Sequence, residues 1–206
     1  MPKDKVKIQL EKYTLLLYSR GNKISFQTIG KEEFPSIFDK KGEKVASFTE
    51  EEFKEIFSKL TFAVSTDETR PVLTGILIAQ KEEGLEVVAT DGYRLSYKKI
   101  GKKIFKETGS MILSARLIEE ASLLKPEKEE KINMYIYKEG SQVIFETKDT
   151  MLVGRTIEGE FPRYEKVIPS NTKTTVFLDK DEFLQSVKLS SVFAKENANI
   201  VKLKVA

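Results

Sequence analysis

The chain has neither cysteine nor histidine among its 206 residues. Without cysteine there is no disulfide and no thiol chemistry, a composition that fits the cytoplasm. Without histidine the commonest general base and the commonest zinc ligand are missing, and so is any Ser–His triad. Catalysis would be left with carboxylate, lysine, tyrosine or magnesium chemistry. No apolar run approaches the length of a membrane span, and the opening MPKDKVKIQL has no signal-peptide pattern. Net charge is scarce too: 35 basic against 32 acidic residues leave +3. A role on nucleic acid must therefore come from where charges are placed, not from their total. What is present suffices for a packed core, with 40% apolar residues in a length suited to one or two domains.

A repeated helix start organises the sequence. Thr49, Ser114 and Asp179 are good N-cap residues, each 65 positions after the last. An apolar residue precedes each cap (Phe48, Leu113, Leu178), and another follows at the fourth helical position (Phe53, Ile118, Phe183). That is a hydrophobic staple around a cap, which fixes how the chain enters a helix. Glu52 and Glu182 add the capping-box carboxylate; the middle copy has Leu117 there. A longer period shows in FPSI at Phe34–Ile37 and FPRY at Phe161–Tyr164. Such repeats imply duplicated units stacked with pseudo-symmetry.

Three alternating strands are expected over residues 6–29, with Gly21-Asn22 turning between the last two. A linker follows at 38–44. A strand at Val45–Phe48 leads into a helix from Glu50 to about Leu60, whose core face is Phe53, Ile56, Phe57 and Leu60. Strands follow at 73–80, 84–90 and 93–100. Met111–Leu113 enters a second helix from Ala115 to about Leu124, ended by Pro126, with Leu117, Ile118, Ala121 and Leu124 inward. INMYIY, SQVIFET and MLVGRTI are three more strands. Thr174–Leu178, a helix from Lys180 to about Val192, and a strand at NIVKLKV open another unit. The expected division is 1–44, the end of one domain; 45–170, a whole domain; and 171–206, the start of a third.

Two segments are more specific than the periodicity. ATDGYRLS, Ala89 to Ser96, is a tight turn in which Asp91 bonds nearby N–H groups and Gly92 takes positive φ. In EGEFPRYEKVIP, Glu158 to Pro169, Pro162 breaks a strand and holds the chain extended. With STDETRPVLTGILI and the final NIVKLKV, these segments resemble, in order, the β subunits of bacterial DNA polymerase III, the sliding-clamp family. The resemblance covers essentially the whole chain. It implies an α+β DNA-clamp fold of duplicated strand-helix-three-strand halves, with helices on one face of antiparallel sheets. The family has three such domains per protomer, matching the two spacings read above. Most of the first and third domains is missing here, so the chain is expected to be a middle fragment. Ring closure in the family joins first and third domains, so this fragment is expected to be monomeric where the full protein is a homodimeric ring.

The resemblance further implies a processivity factor that encircles duplex DNA and tethers polymerase, clamp loader and repair proteins through short peptide motifs. It implies no catalytic activity of its own, no cofactor, no metal, no membrane, and a cytoplasmic, nucleoid-associated setting. Holding DNA while sliding calls for loosely spaced cations facing phosphates. Lys54, Lys59, Arg116, Lys125 and Lys188 on the helices are the candidates, Arg116 first among them. The alternative is a solvated amphipathic face, because Glu50, Glu51, Glu119 and Glu120 share it. Leu73, Thr90, Gly92, Tyr93, Arg94, Leu95, Pro162, Lys166 and Val167 match the family's peptide pocket, between second and third domains. Leu73, Leu95 and Val167 would supply its apolar walls, and the stem of Arg94 would cover apolar surface. Leu73 and Leu95 could equally be core, and Thr90 and Gly92 mere turn residues. Tyr93 and Lys166 stand where the family also uses His and Arg. Two other classes stay open on the residues alone: a repeat scaffold with no DNA role, and a phosphoryl-transfer enzyme with magnesium on Asp67, Glu68 and Asp91. No phosphate-cradling glycine loop supports the second.

Overall fold

The computed structural model describes residues 5–34, 41–137, 139, 141–171, 173–195 and 200–204. It divides into two compact units, Met1–Phe161 and Pro162–Ala206.

The first unit opens with β1 (Lys7–Glu11), β2 (Thr14–Ser19) and β3 (Asn22–Gln27), an antiparallel meander in that order. The turn between β2 and β3 is Arg20-Gly21, both at positive φ (44° and 80°), while Asn22 already pairs with Ser19. The turn thus falls one residue earlier than Gly21-Asn22, because the ladder claims Asn22. Alternation places Ile8, Leu17 and Ile24 in one cross-strand row and Leu10, Leu15 and Phe26 in the next. Ile8, Leu10, Ile24 and Phe26 on that face are exposed.

After the meander come β4 (Glu43–Phe48), α1 (Glu50–Phe57), β5 (Gly75–Lys81), β6 (Gly84–Thr90) and β7 (Leu95–Ile100). The pattern then repeats as β8 (Gly109–Ser114), α2 (Ala115–Ser122), β9 (Ile132–Tyr137), β10 (Gln142–Glu146) and β11 (Met151–Arg155). The two halves exchange their opening strands. The sheets run β7-β6-β5-β8 and β11-β10-β9-β4, antiparallel throughout. So β4 lies on the edge of the second half's sheet and β8 on the edge of the first's. The sequence pattern of strand, helix, three strands is correct, but neither half is a closed unit.

One core joins both sheets and both helices. Phe53, Ile56, Phe57 and Leu60 are each at most 3% exposed, and Leu117, Ile118, Ala121 and Leu124 at most 9%. An α-helix of eight residues is not stable alone. Burial of three or four large side chains, about 1.5–3 kcal/mol each, holds α1 in place. Phe48, Phe53, Phe57, Phe105 and Phe145 form a connected aromatic group, with centroids 4.7–6.4 Å apart.

The three caps are not equivalent. Thr49 accepts from the N–H of Glu52, and Glu52 accepts from that of Thr49, so the capping box closes. Asp179 accepts from the N–H groups of Asp181 and Glu182 at the start of α3 (Lys180–Ala194). Ser114 makes no side-chain cap. It is still the last residue of β8, paired with Gly75, and its backbone, at φ −53° and ψ 134°, lacks the extended conformation that Thr49 and Asp179 adopt. Helices α1 and α2 end earlier than their apolar pattern suggests; Leu60 and Leu124 reach the core from the turns that follow.

The second unit contains a 3-10 turn at Tyr164–Lys166 and α3. Residues 174–178 and 200–204 form no strand. Val176, Phe177 and Leu178 are exposed, and no ladder partner exists for either segment among the described residues. A strand is a pairing, so a strand-like sequence without a neighbour stays irregular. Part of the first Phe-Pro copy (Pro35–Ile37), most of the expected linker's start, and both ends of NIVKLKV lie outside the described residues.

Candidate functional site

The turn between β6 and β7 is built as its sequence suggests. Asp91 Oδ1 accepts from the N–H groups of Tyr93 and Arg94, both at 2.9 Å, and Asp91 Oδ2 takes Arg94 Nε at 2.8 Å. Thr90 Oγ1 accepts from Gly92 N at 3.1 Å and donates to the carbonyl of Arg94 at 2.7 Å. Gly92 sits at φ 94°, where any other L-residue is strained. Burial pushes the Asp91 carboxyl upward, but the N–H groups of Arg94 and Tyr93 and the Arg94 guanidinium outweigh it and hold the pKa below its ordinary value. The knot stiffens the loop and leaves Tyr93 almost fully exposed, at 96%.

A second loop stands against this turn. Leu73 lies in a 3-10 turn at Pro71–Thr74, and its carbonyl accepts from Ser65 N at 2.8 Å. Asp67 ties the loop by accepting from Thr69 and from Arg70 Nε. Arg70 Nη1 comes to 3.9 Å from where a Cβ on Gly92 would be, so the two loops are neighbours. Leu73 is buried at 8% but stands outside the main core cluster; Leu95 is half-buried and Arg94 exposed. Gly159, at φ 128°, passes so near Val72 that a Cβ would lie 2.7 Å from its Cγ2. The glycine of EGEFP is thus required by a close approach to the loop that carries Leu73. Leu73, Thr90, Gly92, Tyr93, Arg94 and Leu95 belong to the first unit. Pro162, Lys166 and Val167 belong to the second, and all three are exposed there.

The candidate DNA-facing cations are all exposed. Only Lys54, Arg116 and Lys188 are on helices; Lys59 and Lys125 fall in the turns after α1 and α2. Lys54 is bonded to Glu50 one helical turn back. That bond, with the charges of Lys54 and then Lys125, lowers the Glu50 pKa, which places Lys125 within electrostatic reach of the start of α1. Exposed Glu51, Glu55, Glu119 and Glu120 accompany these cations, so the face is mixed in sign.

Two of the three carboxylates considered for magnesium serve their own loops. Asp67 and Asp91 each hold the N–H groups of their own loop. Among the described residues no group of three or more His, Cys, Asp or Glu is gathered as a metal site. No helix there is long and apolar enough to cross a membrane.

Comparison with known proteins agrees with the duplicated fold. The family described as the DNA polymerase III beta subunit, central domain, matches residues 47–163. The chain is 26% identical over 194 residues to the beta sliding clamp of Staphylococcus aureus, covering 94% of this chain and 51% of that protein. It is 26% identical over 206 residues to the beta sliding clamp of Bacillus subtilis, covering 98% and 54%. The solved DNA polymerase III beta chain of Streptococcus pneumoniae superposes with a TM-score of 0.77 at 23% identity, over 92% of this chain and 50% of that one. The chain therefore spans about half the length of the curated relatives it matches.

Proposed function

Because the chain belongs to the family of the DNA polymerase III beta subunit, we propose that it is part of a sliding clamp, a non-catalytic processivity factor that encircles duplex DNA and tethers replication and repair proteins. The observation that carries this reading is the coincidence of the family match at 47–163 with the two interleaved halves that share one core. The proposed division is 1–44, 45–170 and 171–206, with the middle segment a whole clamp domain.

A feature of the meander supports the first boundary. The β2–β3 hairpin has the same register as β10–β11: Leu15, Leu17, Ile24 and Phe26 stand where Val143, Phe145, Leu152 and Gly154 stand. In β10–β11 that face is the core face. In the meander it is largely exposed, as expected for the closing strands of a neighbouring domain.

The turn at Thr90–Leu95 and the loop at Leu73 form our candidate for capturing peptide motifs. A rigid turn loses little entropy when a ligand settles on it. Leu73 and Leu95 supply apolar surface, and Tyr93 and Arg94 project from the turn as adaptable contacts. Pro162, Lys166 and Val167 are assigned to the same function through the resemblance. Titration of a labelled clamp-binding pentapeptide tests the reading. Tyr93→Ala and Leu95→Asp should weaken binding while the unfolding midpoint of Tyr93→Ala stays at the parent value. No binding by the parent chain, or parental binding by both variants, would remove this turn from the site.

DNA contact, in this reading, is electrostatic and without base readout. Arg116, Lys125 and Lys59 are its main carriers in the first unit, because Lys54 is already engaged by Glu50.

A further inference from the structure

The shared core is open at one place. Between the two exchanged strands, within the first unit, lies a cavity of about 490 Å³. That is the size of a small-molecule site, typically about 300–1,000 Å³. Val45, Ile78, Phe105, Met111 and Ile136 make its floor apolar. Phe105 and Ile78 belong to the core that joins both sheets, and Val45, Met111 and Ile136 pack against it. The cavity shares no residue with the β6–β7 turn.

The charges at the mouth are already engaged. Glu43 pairs with Lys106 at 3.8 Å, Glu139 accepts from the Tyr137 hydroxyl at 2.8 Å, and Glu107 has an interaction of its own. Gln80, buried at 4%, accepts from Ile104 N and Phe105 N and donates to the Lys81 carbonyl. The floor therefore has nothing to offer a charge, and a charged group pressed against it would lose its hydration without replacement.

One polar pair on the wall is open. On the edge strand β8, Ile112 O accepts from Ile157 N at 2.8 Å, on the side away from β5. Backbone groups alternate direction along an antiparallel strand, so Ser110, two residues earlier, points its N–H and C=O to that same side. Thr156 is bridged to Leu113 on that side and also lines the cavity, so the Ser110 pair faces the cavity. Neither group has a partner there among the described residues.

We propose that this cavity binds a neutral aromatic molecule that carries a primary carboxamide. The rings lie on the floor, where Phe105 and Met111 supply a ring and a thioether, both favourable neighbours for an aromatic group. The carboxamide oxygen accepts from Ser110 N–H, and its NH2 donates to Ser110 C=O. A carboxylate would take the N–H but set its charge against the carbonyl oxygen. A plain hydrocarbon would leave both backbone groups unbonded.

The test titrates the whole chain with 2-naphthamide, 2-naphthoate and N,N-dimethyl-2-naphthamide, followed by proton–nitrogen NMR. The primary amide should bind saturably and shift the Ser110 amide signal. The carboxylate and the dimethyl amide, which lacks the donor, should each bind at least about tenfold more weakly. Ser110→Pro deletes the outward N–H and leaves the bonds to β5 intact, since edge strands tolerate proline. It should weaken 2-naphthamide by about tenfold or more, while Ser110→Ala leaves its affinity unchanged. On the unmutated chain, hydrogen exchange at the Ser110 amide should slow at saturation, a result that needs no variant to fold. No saturable binding up to about 1 mM, equal binding of the three compounds, or unchanged Ser110 exchange at saturation would each overturn the proposal. Tyr93→Ala should bind 2-naphthamide as the parent does; a loss there would move the ligand to the β6–β7 turn and overturn the cavity assignment.

Discussion

Phe48 and Phe53 meet edge to face across the first helix cap, their ring centroids 5.6 Å apart and their planes at 83°. The last residue of β4 and the fourth residue of α1 are thus locked by one contact, while Thr49 and Glu52 close the hydrogen bonds between them. Phe48→Ala should be the most damaging single change at this end of the molecule, costing about 3–5 kcal/mol for a cavity in a tight aromatic group. Thr49→Ala should cost about 1 kcal/mol. Ser114→Ala, at the equivalent position of the other half, should stay within about 0.5 kcal/mol because no cap bond is lost. Urea titrations of the three variants check the ranking.

The same cap sets a pH dependence. The Lys102 ammonium, then the Thr49 N–H, lower the Glu52 pKa below its ordinary value. A carboxyl whose pKa is lower folded than unfolded contributes stability above the unfolded value, near 4.3. That contribution is lost as pH falls through the folded value. Glu52→Gln should therefore be less stable than the parent at pH 7, and the gap should narrow below about pH 4. Thermal melts of both proteins across that range give the answer; a gap that widens in acid would be the wrong sign.

Gly92 and Gly159 should resist substitution for different reasons. Gly92→Ala meets only the end of the Arg70 side chain, at an ordinary 3.9 Å, so its cost is that of its backbone angle, about 1–3 kcal/mol. Gly159→Ala adds a collision with Val72 to a similar strain and should be the worse of the two. Gly92→Arg is a poor probe of peptide binding for this reason, since a loss could come from a distorted turn. Unfolding midpoints of the two alanine variants test the order.

Binding of this chain to duplex DNA should be weak, independent of sequence, and steeply reduced by salt. Arg116→Glu should weaken it further in low salt, whereas Lys54→Ala should change it little because Lys54 already serves Glu50. Fluorescence anisotropy at two ionic strengths decides; salt-insensitive binding would contradict a phosphate-backbone mode.

Light scattering at micromolar concentration should report no closed two-fold ring. The exposed Ile8, Leu10, Ile24 and Phe26 face is the patch through which any self-association would run. Phe26→Lys should then lower such association without lowering the melting temperature of the shared core.

Much of this fold was legible because its signals are local. A cap, a staple and a three-four spacing sit within one helix, and Phe53, Ile56, Phe57 and Leu60 are buried as their spacing requires. The turn at Asp91 was legible for the same reason, since all its bonds lie within five residues. The exchange of β4 and β8 was not. Either strand's alternation suits an edge in either sheet, and the choice lies in pairings such as Phe48 with Ile132 and Leu113 with Ile76. Ser114 shows the opposite failure: the right residue type at the right spacing, with its backbone committed to a ladder instead. The strands expected at 174–178 and NIVKLKV depended on neighbours that no local pattern supplies.

The exchanged strands also bear on how such a domain arose and how it is synthesised. β4 leaves the ribosome well before β9, its only ladder partner among the described residues, so the edge place beside β9 cannot be filled until the second half has emerged. A half made alone would carry an opening strand with no sheet to join and a three-stranded sheet with a vacant edge. Two copies of that half would satisfy both needs by lending each other a strand, the geometry of a domain-swapped dimer. Gene fusion of such a pair would turn an encounter between molecules into an intramolecular one, and concentration would cease to limit assembly.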